Sequence, residues 1–362
     1  MKSKKIAIIG TVGVPSNYGG FETLVDNLLD HVNTDFDITV YCQSTAYKNH
    51  INDYKGAKLK YVNLKANGIS SVFYDIYSIL ISVRSFDILL LLGVSGAIIL
   101  PIIRPFYKGK IITNIDGLEW KRDKWGFIAQ KFLKFSERLA VACSDIVVAD
   151  NLFIQEHVSK NYNKKASLIA YGADHAVRTD QFSVDDKYGI DKEDYFFTVC
   201  RIEPENNLDM MVQAYEVSNI QRPYVIIGNF NSSIYGKDFK LKYQNVKGLK
   251  LLNPIYNVDL LNQFRSNCYY YLHGHSAGGT NPSLVEAMHI GAPVIAYGVN
   301  YNRATTFDEA IYFNNKEELA SIFNNIDSIQ RNSLKLKMNE LAAAHYKWEN
   351  ICHSYIKLFN QI

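Results

Sequence analysis

The chain of 362 residues is 48% hydrophobic and 21% charged, which is typical of packed globular proteins and excludes disordered, collagen-like and coiled-coil chains. Its length predicts two domains, each large enough to bury a core of its own. A formal net charge of +3 is too small to indicate nucleic acid as a partner.

The charge is unevenly distributed along the chain. Residues 1–178 contain 22 Lys and Arg against 16 Asp and Glu, and residues 179–362 contain 17 against 20, so the first half is the one expected near an anionic surface. The run Ile6–Ile9 is too short for an export signal, and Ile88–Ile103 is shorter than a membrane span of about 18 residues. Five cysteines form no Cys-x-x-Cys pair, which predicts reduced thiols in a cytoplasmic protein.

In residues 1–178, short β-branched runs alternate with amphipathic stretches, the order expected of a parallel sheet covered by helices. The predicted strands are Lys5–Ile9, Asp37–Tyr41, Lys58–Val62, Ile88–Leu92, Lys110–Asn114, Ile146–Ala149 and Lys165–Ile169. The predicted helices are Phe21–His31, Val72–Val83 and Phe127–Ala140.

A polar stretch, Ala173–Asp194, interrupts this alternation and is the predicted hinge. Ser333–Ile362 has the pattern of a helix. The chain is therefore predicted to contain two doubly wound α/β domains, residues 1–178 and 179–340, and a C-terminal helix, 341–362, that packs back on the first. The strands predicted after the hinge are Tyr195–Cys200, Tyr224–Gly228, Leu249–Leu252, Cys268–Leu272 and Pro293–Ala296.

The loop after the first predicted strand, residues 10–23, is rich in glycine and ends where a helix begins. Ligands of open parallel sheets bind beyond the carboxyl ends of the strands, and Gly19 and Gly20 can present backbone N–H groups to an anion there. The spacing is not G-x-G-x-x-G, which excludes a nicotinamide dinucleotide fingerprint. A glycine-rich turn without a ligand is the alternative.

The loop after Lys110–Asn114 contains two carboxylates, an indole and two cations in the segment Asp116–Arg122. This set suits a sugar, with stacking on Trp120 and hydrogen bonds from hydroxyls to Asp116 or Glu119. A helix N-cap followed by a solvated run of charges is the alternative.

In the second half, Arg201 follows a predicted strand, where its guanidinium can bind a diphosphate through two parallel hydrogen bonds. An ion pair with Glu203 or Glu205 is the alternative.

Residues 273–287 follow an apolar strand, contain several small residues and open a helix. They predict a second phosphate-binding loop, with Glu286 one turn further in and able to accept hydrogen bonds from both hydroxyls of a ribose. His273 and His275 have the spacing of a metal pair, but no third ligand accompanies them, and no metal site is predicted. The residues expected around the phosphate are Gly279, Thr280, Asn281 and Ser283.

Together these loops resemble, over essentially the whole chain, the retaining glycosyltransferases of family 4. The resemblance implies the GT-B fold, an α/β architecture of two Rossmann-like, doubly wound parallel-sheet domains facing across a cleft. In that family an arginine and a lysine follow the first strand of the second, nucleotide-sugar-binding domain, and an E-x7-E motif ends near the nucleotide ribose. Arg201 matches the arginine and Glu286 the second glutamate, whereas Asn206 stands in place of the lysine and Gly278 in place of the first glutamate.

Within the family, residues 15–23, 116–122 and 279–286 look like the bacterial branch that contains capsule and cell-wall rhamnosyltransferases. This resemblance implies a hexosyltransferase that moves a sugar, with L-rhamnose from dTDP-L-rhamnose as the first candidate, to a lipid-linked saccharide in capsule or cell-surface polysaccharide synthesis. The departures at Asn206 and Gly278 point to a donor sugar that lacks some of the groups contacted in the family.

The resemblance also implies roles for single residues. No metal or other cofactor is expected, because Arg201, the amides of residues 280–283 and the first glycine loop can stabilise the leaving diphosphate. Asp116 is expected to orient the acceptor or the donor sugar, and a role as base is left open. The catalytic candidates are Asp116, Arg201 and Glu286. The donor-binding candidates are Gly19, Gly20, Arg201, Asn206, Asn229, Ile255, Gly279, Thr280, Asn281, Ser283 and Glu286. The acceptor-binding candidates are Tyr18, Glu22, Glu119 and Trp120.

Peripheral membrane contact is predicted from the basic first half and from the apolar segment Gly93–Tyr107, flanked by Arg104, Lys108 and Lys110. Such a segment can lie among anionic headgroups, and ordinary core is its alternative. For the whole chain, the alternatives are a nucleotide-sugar epimerase of the same fold, which needs no acceptor, and a saccharide-binding protein without catalysis.

Overall fold

The computed structural model describes residues 3–16, 19–32, 36–122, 125–184 and 188–361. They form two compact units. The first comprises residues 1–121, 125–171 and 348–362, and the second comprises residues 122–124 and 172–347. The main chain enters the second unit at Gly172 and returns to the first at Trp348, where the sequence predicts these changes at 179 and 341.

In the described part of the first unit, one eight-stranded sheet is parallel except for the pairing of β3 with β4. The strands are β1 (Lys4–Ile9), β2 (Phe36–Gln43), β3 (Asp53–Tyr54), β4 (Ala57–Val62), β5 (Ile88–Leu92), β6 (Lys110–Asn114), β7 (Ile146–Ala149) and β8 (Ala166–Leu168). Their order across the sheet is β3-β4-β2-β1-β5-β6-β7-β8. The helices are α1 (Gly20–His31), α2 (Ser70–Ser82), α3 (Leu100–Ile103), α4 (Phe127–Cys143), α5 (Leu152–Tyr162) and, at the C-terminus, α13 (Trp348–Asn360).

The described part of the second unit contains a six-stranded sheet in which every pairing is parallel. The strands are β9 (Phe196–Val199), β10 (Tyr224–Ile227), β11 (Leu249–Leu252), β12 (Tyr270–His273), β13 (Val294–Tyr297) and β14 (Ile311–Phe313), in the order β11-β10-β9-β12-β13-β14. The helices are α6 (Leu208–Val217), α7 (Ile234–Tyr243), α8 (Val258–Ser266), α9 (Pro282–Ile290), α10 (Asn300–Thr306), α11 (Lys316–Asn324) and α12 (Arg331–His345). Of the helices described in either unit, none combines the length and the apolarity that a membrane crossing needs.

The core of the first unit shows why its central strands read as continuous apolar runs. Every residue of β5 is buried between β1 and β6, because helices cover both faces of a doubly wound parallel sheet. Helix α13 packs against α1, and its Tyr355 accepts a hydrogen bond of 2.8 Å from the Asn114 side chain. The C-terminal helix is therefore part of the core of the first unit.

The predicted and observed elements agree best where an apolar run is long. Strands β5, β6, β7 and β11 have the predicted bounds, whereas β3 and β14 are too short to show a period and are not predicted. The helix predicted over Ser333–Ile362 is two helices. The break follows α12 at Tyr346, whose hydroxyl donates to the carbonyl of Thr305 at 2.7 Å, where the chain leaves the second unit.

The order of the strands indicates where each unit binds a ligand. In the first sheet, β2, β4 and β3 lie on one side of β1, and β5 to β8 lie on the other. In the second sheet, β10 and β11 lie on one side of β9, and β12 to β14 lie on the other. Doubly wound sheets bind ligands beyond the carboxyl ends of the strands at the point where the strand order reverses. The loops after β1 and β5, and those after β9 and β12, are the expected places.

Candidate functional site

The carboxyl edge of the second sheet contains most of the predicted donor-binding residues. Strands β11, β10, β9 and β12 are consecutive neighbours and parallel, so the loops that follow them lie side by side. Ile255 follows β11, Asn229 follows β10, Arg201 follows β9 and residues 274–281 follow β12. The topology therefore places these predictions along one edge.

Arg201 presents an exposed guanidinium at this edge. Among the residues that the structure describes, no carboxylate lies within ion-pair distance of it, so the alternative pairing with Glu203 or Glu205 is not observed. Asn206 is buried, and its side chain donates a hydrogen bond to the carbonyl of Arg201. Asn206 thus holds the backbone that positions the guanidinium, its Oδ1 has no hydrogen-bond partner among the described residues, and the donor contact expected of it stays a prediction.

Backbone hydrogen bonds tie the loop after β12 to the loop after β9. The N–H of Ser276 donates to the carbonyl of Glu205 at 2.8 Å, and the side chain of Asn207 donates to the carbonyl of Gly274 at 2.8 Å. A side chain at Gly274 would overlap the carbonyl of Asn206. The glycine is therefore needed for the close approach of the two loops.

Helix α9 begins at this edge with Asn281 as its N-cap residue, and its first turn contains Ser283. The side chain of Asn281 does not cap the helix and lies 3.4 Å from Nε2 of His273. Gly279 and Thr280 are buried, and Gly278 has a φ of 132° that side chains rarely adopt. The first N–H groups of α9 thus lie beside the loop in which Gly278 stands, at the end of the helix that favours anions.

Glu286, on the second turn of α9, is held by two partners. His175 contacts its Oε1 at 3.0 Å, and the buried Arg265 forms an ion pair with its Oε2. Burial opposes ionisation of the carboxyl, but Arg265 and the hydrogen bond from His175 outweigh it and hold the pKa of Glu286 below its ordinary value. Glu286 is therefore a carboxylate with a set orientation at neutral pH.

In the first unit, Gly19 and Gly20 stand where α1 begins, and Gly19 has a φ of 131°. Glu22, predicted to contact the acceptor, has partners within the first unit. Its Oε1 accepts hydrogen bonds from the Thr11 hydroxyl at 2.9 Å and from the N–H of Val12 at 2.7 Å, so it braces the glycine loop from within. Tyr18 lies outside the described residues.

The loop after β6 contains Asp116 in a left-handed conformation with a φ of 58°. Its N–H donates to Oδ1 of Asn114 at 2.9 Å. Sparsely populated backbone conformations of this kind often mark functional positions. Asp116 is partly exposed and is thus presented at the carboxyl edge of the first sheet.

Glu119 and Trp120 are engaged within the first unit. Glu119 accepts a hydrogen bond of 3.0 Å from the indole of Trp125, and the indole of Trp120 donates to the buried Glu137 at 3.0 Å. Nζ of Lys134 lies 4.8 Å from the centre of the Trp120 ring. Both residues thus have intramolecular partners and are partly exposed, and the sugar contacts expected of them stay predictions.

The structure adds four candidates to those that the sequence predicts. Asp150 is a buried carboxylate directly after β7, and the rule that sites follow strands would have found it. Arg265 and His175 become relevant only through their contacts with Glu286, 21 and 111 residues away, for which the sequence holds no signal. In the sequence, His275 stands out only through its spacing from His273. The structure shows no group of three or more metal-ligating side chains in the part of the chain it describes.

Comparison with known families separates the chain into the same two parts. Residues 180–344 match the family described as "Glycosyl transferases group 1". Residues 3–174 match the family described as "Domain of unknown function (DUF1972)". The first match covers the sheet edge that carries Arg201 and Glu286.

Solved structures of low sequence identity share the fold over nearly the full length. Sucrose-phosphate synthase from Thermosynechococcus elongatus superposes with a TM-score of 0.83 at 13% identity, over 99% of this chain and 98% of the other. HepE from Anabaena, in complex with UDP-glucose, gives a TM-score of 0.75 at 13% identity, over 99% and 100%. The catalytic domain of starch synthase IV from Arabidopsis thaliana, bound to ADP and acarbose, gives 0.73 at 11% identity, over 99% of both chains.

These matches agree with the two doubly wound sheets. The chain is a glycosyltransferase of the GT-B fold, with a glycosyl transferases group 1 domain over residues 180–344.

Proposed function

We propose that this enzyme, a retaining transferase of family 4, moves a sugar from a nucleotide diphosphate donor to a hydroxyl of a lipid-linked saccharide. The donor proposed first is dTDP-L-rhamnose, and the product is a precursor of capsule or cell-surface polysaccharide. The observation that carries the proposal is the exposed Arg201, without an ion-pair partner among the described residues, beside the start of α9 and the reversal of strand order.

Each group on this edge has a role in binding the donor. The Arg201 guanidinium and the N–H of Ser283, in the first turn of α9, bind the diphosphate and stabilise the negative charge that develops on it as the glycosidic bond breaks. The ionised Glu286 accepts hydrogen bonds from the ribose hydroxyls. The charge on the leaving group is thus met by the protein, and the proposed reaction needs no metal or other cofactor.

The donor sugar is proposed from what Gly278 lacks. A glutamate at this position of the family motif would supply a carboxylate for the hydroxyls of the sugar, whereas Gly278 supplies only backbone. A 6-deoxy sugar such as L-rhamnose has fewer hydroxyls to satisfy. The similar structures hold UDP-glucose and ADP, so the nucleotide base has to be determined by experiment.

A screen by thermal shift tests the proposal directly. The intact protein is heated with dTDP-, UDP-, GDP- and ADP-sugars, and the preferred donor is expected to raise Tm the most, because a ligand stabilises the state that it binds. The preferred donor is then incubated with and without a lipid-linked acceptor. Transfer only with the acceptor supports the proposal. Isomerisation of the donor alone would indicate an epimerase, and saccharide binding indifferent to the nucleotide would indicate a saccharide-binding protein.

Asp116 is proposed to orient a reacting sugar. We expect Asp116→Asn to lower kcat about 100-fold, because a positioned carboxylate contributes on this order, and to change the Kd of the donor less than about twofold. Asparagine tolerates the left-handed backbone at this position, which protects the fold. Asp53→Asn, at an exposed carboxylate of the same unit, is the control. Equal losses in kcat and donor affinity would move Asp116 to the donor site.

Membrane association is supported by the exposed part of the predicted segment Gly93–Tyr107, which includes Ile102 and Phe106, and by two helices that pack next to this segment. The exposed side chains of α2 are apolar or aromatic, and those of α4 are apolar or basic, while Glu137 of α4 is buried. Both helices pack against the turn Ala97–Ile99. The exposed apolar residues include Phe73 (62%), Phe106 (84%) and Ile128 (83%), and the basic ones are Lys131, Lys134 and Arg138.

Flotation with vesicles tests this surface. We expect the protein to float with anionic vesicles at low salt, to be released at high salt and to ignore neutral vesicles, since each cation near the surface contributes about 1 kcal/mol. The double variant Lys131→Glu, Lys134→Glu should lose flotation, and Lys247→Glu, on an exposed lysine of the second unit, should retain it. Flotation that is insensitive to salt and to the double variant would contradict the electrostatic part of the proposal.

A further inference from the structure

Two histidines stack on each other at the loop after β12. The rings of His273 and His275 have centroids 4.4 Å apart and planes inclined by only 8°. His273 is buried with 1% of its surface exposed, and its Nδ1 has no hydrogen-bond partner in the described part of the chain. The stack holds the His275 ring in one plane, at the reversal of strand order in the second sheet.

The ring of His275 is available to a ligand. It is partly exposed, and no side chain or backbone group among the described residues forms a hydrogen bond with it. Its main chain is anchored, because its carbonyl accepts a hydrogen bond of 2.9 Å from Asn302. The loop therefore fixes the position of an imidazole whose polar atoms are unused.

The charges around His275 keep its imidazole neutral in the ligand-free protein. Burial lowers its pKa most, and His273, Arg201 and Arg122 lower it further. The N–H of Ser276, the next residue, donates to the carbonyl of Glu205 at 2.8 Å, which joins this loop to the loop that contains Arg201. A neutral imidazole still has one N–H to donate.

The diphosphate of a nucleotide sugar is expected to need more than one side-chain hydrogen-bond donor from the protein. The lysine that would accompany the arginine in the family motif is Asn206 here, and the Asn206 side chain is buried and occupied by the carbonyl of Arg201. Lys and Arg are the usual side-chain partners of phosphate, so the loop after β9 supplies one such group where two are expected.

We propose that His275 is the second side-chain ligand of the donor diphosphate, donating its imidazole N–H to a phosphate oxygen beside Arg201. This inference rests on the proposed function, because it requires a nucleotide diphosphate at this edge. The stack on His273 positions the ring, and the tie between the loops after β9 and β12 sets its distance from the guanidinium.

The arrangement makes binding of the diphosphate dependent on pH. A phosphate beside His275 offsets the positive charge of Arg201, so the pKa of the imidazole rises when the ligand binds. Protonation of His275 is therefore coupled to binding, and the contribution of its imidazole to diphosphate affinity rises as the pH falls. The terminal phosphate of a nucleoside diphosphate also titrates, with a pKa of about 6, so the effect of His275 is the difference in proton uptake between the wild type and a His275 variant.

The test compares two variants of the intact protein by calorimetry. His275→Phe keeps a flat ring on His273 and removes the N–H, whereas His275→Gln keeps an N–H donor. His345→Phe is the control, because His345 also stacks on an aromatic ring, that of Phe307 at 4.5 Å. The probes are UDP, dTDP, GDP and ADP, each compared with its nucleoside, at about pH 6 in two buffers of different ionisation enthalpy.

We expect His275→Phe to lower the affinity for the diphosphate that binds the wild type by about tenfold, as for the loss of one charge-assisted hydrogen bond. The affinity for the nucleoside should not change. His275→Gln should recover part of the affinity but lack the proton uptake that the imidazole adds in the wild type. An unchanged affinity for the diphosphate and unchanged proton uptake in His275→Phe would overturn this inference and leave the proposed function standing. Absence of any nucleoside diphosphate binding to the wild type would overturn both.

Discussion

Arg201→Ala is expected to weaken donor binding by about 10- to 100-fold, since a charge-assisted contact contributes about 1.5 to 3 kcal/mol. Transfer should fall at least as much, because the charge on the diphosphate grows as the sugar leaves. The guanidinium is exposed and forms no ion pair with the described residues, so its removal leaves no buried charge behind. The unfolding transition should therefore be that of the wild type, and calorimetric titration with the preferred donor measures the effect.

Two further variants separate the geometry of Arg201 from its charge. Arg201→Lys keeps the charge but cannot form two parallel hydrogen bonds, and it should recover only part of the affinity. Lys247→Ala removes one positive charge from an exposed position before β11, at the opposite edge of the sheet, and should bind the donor as the wild type does. Normal donor affinity in Arg201→Ala would refute the proposed diphosphate site.

Glu286→Ala is expected to lower both donor affinity and stability. The ribose loses its carboxylate partner, and the buried Arg265 is left with an uncompensated charge, which in buried pairs costs about 3 to 5 kcal/mol in the free energy of unfolding. Denaturant unfolding and calorimetric titration measure the two effects. Since the folded-state pKa of Glu286 lies below its unfolded value, the pair stabilises the fold at neutral pH, and this contribution is lost as the pH falls below about 4.3.

A double variant distinguishes the two losses. Arg265→Met combined with Glu286→Met replaces the ion pair by apolar chains of similar length, which in other buried pairs restores stability. We expect the double variant to unfold near the wild-type denaturant concentration while its donor affinity stays at least tenfold low. Recovery of donor affinity together with stability would show that Glu286 only supports the fold.

The predicted donor residues lie along one sheet edge because they follow neighbouring strands. Arg201 comes directly after the apolar run of β9 and Glu286 one turn into the helix after β12, and both the run and the helix start are visible in the sequence. The predictions for Glu22 and Trp120 rested on residue type alone. Their partners, Thr11 and Glu137, are assigned by packing, and a side chain that suits a sugar also suits an internal hydrogen bond.

Asn206 and His275 are two residues that the sequence marks but whose side-chain contacts only the structure reveals. The motif marks Asn206 as a changed ligand, but only the structure shows its side chain turned to the carbonyl of Arg201. His273 and His275 have the spacing of a metal pair, for which the sequence offers no third ligand, and the structure shows that their rings stack on each other. In an irregular loop, the direction of a side chain does not follow from its position in the sequence. It depends on the residues that pack around it.

The sequence by itself determined the two doubly wound sheets, the positions of most strands and the loops that follow them, because apolar periodicity and strand ends are local properties of a chain. Only the tertiary structure decided which groups at those loops meet. The contact of His175 with Glu286 joins residues 111 positions apart, and α13 joins the core of the first unit after the whole second unit has intervened. Such pairings depend on how the helices pack over the sheets, which no local pattern specifies.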